Sequence, residues 1–439
     1  MSFFGSITPP TLDESSTPLI RRALHHAKVV GSFAMVQAIV QFVGFLSGIL
    51  LVRSLEKHEY AFFTIANTMQ GTMNLLADIG ISVGLASIGG RVWQDRHRFG
   101  QLINTALGLR KKLGAIAILV VTPILFAMLA KNGASLSYAA LLIALVLVSV
   151  LVELSIGVFG VVPRLRSDIT VIQRIDLTGA ITRLLLLVGL AFVFLNAGVA
   201  VAVASATLLL QYALLSRYSS KVVDLGAPEN AQDRQAIVKL IKHLAANAVF
   251  YCLQGQITIF LISFFGHRAG AVAEVGALGR LAMIFAVFTN LLTNVFAPAF
   301  ARCHDLHKLR RLYVGIIGVV TGFSLVVIIG AASFPSEFLF VLGNKYAHLH
   351  RELLLMVGGA VLSALTGTFW ALNASKAWVA GSWLYIPLTL VTQVALIPFT
   401  DFSSVPGVLI FNIFSAIPNL ILNIVLSYRG FRSFQVASA

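Results

Sequence analysis

The sequence predicts an all-α integral membrane protein with twelve transmembrane helices in two six-helix bundles and with both termini in the cytoplasm. Three observations carry this prediction: an apolar composition, twelve apolar segments of membrane-spanning length, and basic residues concentrated in alternate loops. Hydrophobic residues occupy 58% of the 439 positions and charged residues only 11%, against about 25% charged residues in soluble domains. Because so few charges cannot cover a soluble protein, the natural solvent of this chain is a lipid bilayer.

Twelve segments have the composition of a membrane-spanning helix, which needs about 20 mostly apolar residues. They are 29–52, 61–88, 113–130, 137–162, 172–195, 198–216, 244–265, 275–300, 312–333, 352–373, 377–397 and 404–427. The fifth segment is the least regular, since it contains Arg174, Asp176 and Arg183. Residues 1–20 lack the basic-then-apolar order of a cleavable signal peptide, so we expect the first span to remain as an anchor.

The distribution of Lys and Arg indicates the orientation, because cytoplasmic loops of membrane proteins are enriched in these residues. With twelve spans, 23 of the 32 basic residues fall on the side of the termini, six on the opposite side and three within spans. Both termini are therefore predicted to be cytoplasmic. The same distribution accounts for the net charge of +15 without a nucleic-acid partner. The two cysteines have no metal-site spacing, and we expect no metal or cofactor.

The two halves of the chain read as a parallel repeat. In each half, an outer loop with a glutamate (Glu59 or Glu274) precedes a long helix and a basic inner loop. The predicted organisation is a cytoplasmic arm, an N-terminal bundle, a cytoplasmic linker, a C-terminal bundle and a cytoplasmic tail, at 1–28, 29–216, 217–243, 244–428 and 429–439. Repeated halves with a site between them are typical of secondary transporters.

Two stretches resemble a known family. "LLVRSLEKHEYAFFTIANTMQGTMNLLADIGISVGL" is similar to the opening of the polysaccharide transporter family, through its Arg-Ser-Leu, Glu-Tyr and Leu-Ala-Asp-Ile-Gly-Ile elements. "AEVGALGRLAMI", from Ala273 to Ile284, resembles the eighth helix of the same family. Its members are the O-antigen and exopolysaccharide flippases of the multidrug/oligosaccharidyl-lipid/polysaccharide exporter superfamily.

The resemblance implies a fold and a substrate. The fold would be a MATE-like V of two bundles, with a central cavity that opens alternately to the inside and the outside. The substrate would be an undecaprenyl-diphosphate-linked oligosaccharide, moved across a bacterial inner membrane for assembly of O-antigen, capsule or exopolysaccharide. The implied partners are membrane lipids and the polysaccharide polymerase and chain-length machinery.

Ionisable side chains at membrane depth are candidate functional groups, because placing them there is costly. At 1.5 Å per residue, Asp78, Glu153 and Arg183 lie ~14–17 Å from the cytoplasmic ends of their spans. Arg280 lies about six residues inside the outer end of the eighth span, or ~9 Å. Arg53 lies at the outer end of the first span.

The arginines suit a diphosphate, since the planar guanidinium fork matches phosphate oxygens. We expect Arg183, Arg280 and Arg53 to contact the sugar–diphosphate headgroup. Arg183 has a structural alternative, which is an ion pair with Glu153 or Asp176 that stiffens the bundle.

The deep acids also have two interpretations. Asp78 and Glu153 either take up protons that drive transport or form buried ion pairs, and Gly80 beside Asp78 permits the close approach of a neighbouring helix. Mid-span amides either bind sugar hydroxyls or join helices; these are Asn67, Asn74, Asn290 and Asn294. A proton, a sodium ion and the membrane potential all remain open as driving forces.

Two other functions are considered. A multidrug or cation antiporter of the related branch predicts an acidic, aromatic-lined cavity without deep arginines. A polytopic polymerase or glycosyltransferase needs a large outward loop with catalytic side chains, and every predicted outward loop is short. The sequence has no phosphate-binding loop for ATP hydrolysis. A transporter that makes and breaks no covalent bond is therefore the leading prediction.

Overall fold

A computed structural model describes residues 19–438 except 267–269, 286–288, 290–291, 293–295 and 304. The described part of the chain is all-helical, with 87% of its residues in helices. The helices are α1 (Leu19–Ser54), α2 (Lys57–Asp78), α3 (Ile81–Val92), α4 (Arg96–Lys131), α5 (Leu136–Phe159), α6 (Val161–Leu165), α7 (Ile169–Ala191), α8 (Ala197–Val222), α9 (Ala231–Phe265), α10 (Ala271–Ala282), α11 (Ala297–Arg302), α12 (Leu306–Ser333), α13 (Pro335–Leu342), α14 (His350–Ser375), α15 (Tyr385–Leu396) and α16 (Val405–Ser438).

Within the described part of the chain, nine helices are long and apolar enough to cross a membrane, and the bent pair α2 and α3 makes a tenth if it is one span. The fifth predicted span corresponds to α7, whose three charged residues keep it out of this set. The eighth predicted span, 275–300, is interrupted by the gaps in the described residues. The protein is a multi-pass membrane protein, while twelve spans and cytoplasmic termini remain predictions.

Helix α4 begins well before the predicted third span at residue 113. The Asp95 side chain caps it by accepting hydrogen bonds from the backbone N–H groups of His97 and Arg98, both at 3.0 Å, which satisfies donors that a helix start leaves unpaired. With 36 residues, α4 is ~54 Å long and extends beyond a bilayer core of about 30 Å. The prediction of a loop is therefore wrong for five basic residues that belong to this helix, although their cytoplasmic side remains a prediction. They are Arg96, Arg98, Arg110, Lys111 and Lys112.

The second predicted span is bent by 48° between α2 and α3. Gly80 makes the bend, with a φ of +74° in the left-handed region that only glycine adopts at low cost. A Cβ at Gly80 would lie 3.3 Å from the backbone nitrogen of Ile241 in α9. The glycine therefore serves both the bend and the close approach of a neighbouring helix.

The segment 223–230 between α8 and α9 lies along the start of α4. Gly100 allows this, because a Cβ there would collide with the Asp224 carbonyl. The Asn104 amide donates to the carbonyls of Leu225 and Ala227 at 2.9 and 2.6 Å. His97 Nδ1 lies 2.8 Å from Asp224 Oδ2 and lowers the pKa of that carboxyl. These contacts hold the segment between the two halves against the N-terminal half.

The two halves are joined at one end of the molecule, called the closed end here, where α1 stops and α2, α10 and α14 begin. Arg53 donates to the last carbonyls of α13, Phe340 and Val341, at 2.5 and 3.0 Å. In return, Lys345 donates to the carbonyls of Arg53 and Leu55 at 3.1 and 2.8 Å. Basic side chains at helix C-termini satisfy unpaired carbonyls and the helix dipole, so each half caps a helix of the other.

Glu274 adds an ionic contact to the closed end. Its Oε1 lies 3.3 Å from Lys57 Nζ, which belongs to the other half, and 3.2 Å from His348 Nε2. Around these groups runs one apolar core with residues from both halves, among them Tyr60 and Tyr346. With the predicted orientation, the closed end is extracytoplasmic.

Toward the opposite end, the apolar clusters of the described residues are separate. One contains residues of the N-terminal half with Ile237 from the start of α9. Two smaller clusters contain residues of the C-terminal half alone. The described residues thus form no common apolar core between the halves at this end, which is predicted to be cytoplasmic and is called the open end here.

Gly80→Ala is expected to destabilise the protein by about 1–2 kcal/mol, because an L-residue in the left-handed region costs this amount. The matched control is Gly71→Ala in α2, where a Cβ meets nothing within 4 Å and helix propensity improves by up to about 1 kcal/mol. Thermal unfolding of both variants in detergent measures the difference. Equal midpoints for Gly80→Ala and the wild type would contradict the role of the bend.

Candidate functional site

Arg183 and Arg280 lie in different halves of the molecule and are near enough for their charges to interact. Arg183 comes from α7 and Arg280 from α10, and both lie ~12–14 Å from the closed end of their helices. Arg280 is close enough for its positive charge to act unfavourably on that of Arg183. The structure thus brings together the two deepest predicted headgroup contacts, one from each half.

Arg280 points into a cavity of about 280 Å³. Its Nε donates to the Tyr60 hydroxyl at 3.3 Å, and the aliphatic part of its side chain packs on α1 at Gly48, where a Cβ would lie 3.2 Å from the Arg280 Cδ. Asn67 of α2 and Asn412 of α16 line the same cavity. The Arg280 guanidinium therefore lies beside polar side chains from both halves of the molecule.

The arginine pair has no acidic partner among the described side chains. No Asp or Glu forms an ion pair with Arg183 or Arg280 there, and Arg183 Nε is buried without a hydrogen-bond partner. Two like charges with unfilled donors are unfavourable in a region of low polarity. An anion bound between them would relieve both costs, and phosphate oxygens match two guanidinium forks well.

Arg53 does not lie at the cavity, and the predicted ion pair of Arg183 with Glu153 or Asp176 is not formed. Arg53 is exposed at the closed end, bound to helix carbonyls and stacked 5.2 Å from the centre of the Phe340 ring, so in this conformation it stands apart from the cavity. Glu153 does not pair with Arg183, and the charge that acts on Asp176 is Arg164. The alternative in which Arg183 only stiffens its bundle through an acid is not found in the described residues.

Glu153 and Asp78 belong to one group inside the N-terminal half, called the carboxylate cluster here. Arg110 pairs with Asp78 through Nη1 and Oδ1 at 3.1 Å and donates to the Asn74 amide oxygen at 2.9 Å. Glu153 accepts from Asn74 and Gln70 at 3.0 and 3.1 Å. Ser82 also donates to Asp78 at 2.8 Å. The Arg110 guanidinium thus pairs with Asp78, while Glu153 is linked to it only through Asn74 and has no ion pair among the described side chains.

Arg110 was missed as a site residue because it precedes Lys111 and Lys112 and reads as part of a basic loop. It is only 4% exposed. Gly157 of α5 makes room for it, since a Cβ there would collide with the guanidinium. A usable signal is the four-residue spacing of Gln70, Asn74 and Asp78 on one face of α2, which marks a polar stripe that faces a buried partner.

The arginine pair and the carboxylate cluster lie at different levels of the same helix. Tyr60, which contacts Arg280, and Asp78 stand ~27 Å apart along α2. Asn67 lines the cavity between them, and Asn74 belongs to the cluster. The remaining predicted amides, Asn290 and Asn294, lie outside the described residues.

From Arg280, two further cavities follow along the C-terminal half toward the open end, and the three adjoining cavities together are called the cleft here. A second cavity of about 340 Å³ shares Met356 and Asn412 with the first, and a third of about 470 Å³ shares Ser363 and Asn412 with the second. Helices α9, α14 and α16 line these adjoining cavities. The cleft is large enough for a ligand much longer than a phosphate group.

No protein-family model matches the sequence, and neither does any curated protein. Solved structures do match. A multidrug resistance MATE family transporter of the MOP superfamily in its inward-facing conformation is 17% identical with a TM-score of 0.68, over 92% of this chain and all of that chain. The lipid II flippase MurJ in an inward closed conformation is 10% identical with a TM-score of 0.68, over 92% of this chain and 90% of its own.

A third matching structure is described by the polarity of its binding pocket. It is a MOP superfamily transporter from Pyrococcus furiosus Vc1 (DSM3638), described as having a binding pocket of reverse polarity that suggests a different function. It is 15% identical with a TM-score of 0.55, over 93% of this chain and 94% of that chain. All three neighbours are transporters. This chain therefore has the fold of the MOP superfamily transporters, which includes both MATE transporters and a lipid-linked flippase.

Proposed function

We propose that this protein is a flippase that moves an undecaprenyl-diphosphate-linked oligosaccharide from the inner to the outer leaflet of a bacterial inner membrane. The oligosaccharide would serve the assembly of a surface polysaccharide, with the polymerase and chain-length machinery acting on it after translocation. The protein makes and breaks no covalent bond in this scheme. The observation that carries the proposal is the arginine pair: Arg280 lines a cavity, its charge acts on that of Arg183 in the other half, and neither has an acidic partner among the described side chains.

A diphosphate fits the pair by charge and by shape. Each guanidinium binds two phosphate oxygens side by side, so Arg183 and Arg280 together suit two adjacent phosphates. The lipid chain stays in the bilayer while the headgroup crosses in the cleft. A cationic drug would meet two positive charges at the same place, and this favours the flippase over the multidrug antiporter of the same fold.

Alternating access follows from the origin of the two arginines in different halves. In the described conformation the halves meet at the closed end through Arg53, Lys345 and the Lys57–Glu274–His348 contact. Release to the outside requires these contacts to break, and the arginines then separate. A diphosphate bound by both would therefore hold the site together until the closed end opens.

Energy for the movement has two sources in this scheme. A diphosphate linked at both ends carries two negative charges, and each one that moves outward across 100 mV gains about 2.3 kcal/mol. The carboxylate cluster supplies the second source, since Glu153 has no ion pair among the described side chains and can accept one proton. Glu153 is the acceptor in our proposal, because Asp78 is already held by the Arg110 guanidinium.

Arg183→Ala and Arg280→Ala are each expected to abolish headgroup translocation, because one arginine cannot bridge the diphosphate between the halves. The measurement uses proteoliposomes that contain a polyprenyl diphosphate with a disaccharide, scored by the access of an external sugar-modifying enzyme. Arg91→Ala, which removes an exposed basic side chain at the end of α3, is the control and should keep the wild-type rate. Wild-type rates in both cavity variants would refute the assignment.

Glu153→Gln is expected to remove the stimulation of transport by a proton gradient that is acidic outside, while the response to an imposed membrane potential persists. Glutamine keeps a hydrogen-bond acceptor for Gln70 or Asn74 but cannot titrate. Proteoliposomes with the potential and the pH gradient set independently separate the two responses. Glu337→Gln, at an exposed position of α13, is the control, and an undiminished response of Glu153→Gln to the pH gradient contradicts the coupling role.

A further inference from the structure

We infer that the part of the cleft nearest the open end is a saccharide-binding subsite, an inference that rests on the proposed function. This part, called the aromatic cleft here, has a volume of about 470 Å³ and is formed by α9, α14, α15 and α16 of the C-terminal half. The residues that carry the argument are Tyr251, Gln254, Trp370, Tyr385, Asn412 and Ser415.

The aromatic rings of the cleft are fixed and accessible. Tyr251 stacks on Tyr385 with ring centroids 4.9 Å apart and an angle of 24°, and Phe250 supports Tyr385 edge-on at 5.3 Å. Tyr251 and Trp370 keep 42% and 38% of their surface exposed, so ring faces remain free for a ligand. A sugar ring presents a face of C–H groups to such a surface, and Tyr and Trp combine an apolar face with a polar edge.

The polar side chains of the aromatic cleft are uncharged and can form hydrogen bonds with the hydroxyl groups of a sugar. None of the side chains that line it is acidic or basic. Gln254 is oriented by two reciprocal hydrogen bonds with Gln393, at 3.1 and 2.7 Å. Ser415 Oγ is buried without a hydrogen-bond partner in the described structure, and buried polar groups are normally satisfied. A neutral ligand rich in hydroxyls fits this lining better than a cation or an anion does.

Glycines keep the cleft open. A Cβ at Gly255 or Gly367, both of which line it, would meet nothing within 4 Å. A helix gains stability when Gly is replaced by Ala, so helix formation gives no reason for glycine here. The missing side chains leave the room that a ligand needs beside the aromatic rings.

The aromatic cleft lies in line with the arginine pair. Asn412 lines both the Arg280 cavity and the aromatic cleft. Along α14, Met356 beside Arg280 and Trp370 are ~21 Å apart. A headgroup with its diphosphate at the arginines would therefore extend its outer sugars into the aromatic cleft.

The test compares the binding of two probes to the purified full-length protein in detergent. One probe is a polyprenyl diphosphate without sugar, and the other is the same lipid with a neutral oligosaccharide, in a series of increasing length that reaches Trp370. The wild type is expected to bind at least one glycosylated probe about tenfold more tightly than the bare lipid, a difference of about 1.4 kcal/mol. Trp370→Ala and Gly367→Val should reduce that affinity to the level of the bare lipid and leave the bare-lipid affinity unchanged.

Gly318→Val is the matched control, since Gly318 lies in α12 outside the cleft and also has open space around it. It should bind both probes as the wild type does. If no glycosylated probe binds better than the bare lipid, or if Gly367→Val weakens both probes equally, the subsite is refuted while the diphosphate site stands. If the wild type binds neither probe, the proposed function itself fails.

Discussion

The proposed mechanism depends on the positive charges of Arg183 and Arg280, which lie in different halves without an acidic partner among the described residues. Two guanidinium groups near each other in an apolar region raise the free energy of any conformation that brings them together. The closed end offsets this through helix carbonyls capped by Arg53 and Lys345 and through Glu274 between two bases. A bound anion changes the sign of the interaction from repulsive to bridging. In the proposed scheme, the conformational preference of the two halves therefore depends on whether the diphosphate is bound.

Helix α2 connects the arginine pair with the rest of the N-terminal half. Its start carries the closed-end contact of Lys57, its middle lines the cavity at Asn67, and its last turns hold Gln70, Asn74 and Asp78 of the carboxylate cluster. At Gly80 the chain bends onto α9. In the proposed scheme, a change of charge in the carboxylate cluster acts on the helix whose other end carries the closed-end contact of Lys57. Helix α2 would thus connect proton uptake with opening of the closed end.

The sequence predicts the features that depend on composition and fails on those that depend on packing. Hydropathy located most of the spans because a bilayer selects a long apolar window, and the cost of deep charges singled out Arg183 and Arg280. The same reasoning missed Arg110, because hydropathy averaged over a segment does not show where a helix begins. Helix α4 begins before its apolar segment and extends beyond the bilayer. Arg110 is buried in the space left by Gly157, a packing feature that the sequence does not indicate. Arg53 has the chemistry of a phosphate ligand, yet its position beside a helix terminus gives it helix carbonyls instead.

The two parts of the proposed ligand site differ in how they would respond to movement. The arginine pair is divided between the halves, whereas the aromatic cleft is built by helices of the C-terminal half alone. When the halves separate at the closed end, the diphosphate loses one of its two guanidinium partners, but the sugar contacts move as one body. Release would then begin at the diphosphate, and the glycan would remain attached to the C-terminal half until the cleft has turned outward. Such an order keeps the hydrophilic headgroup bound to protein throughout its passage, when hydrocarbon is the only other environment available to it.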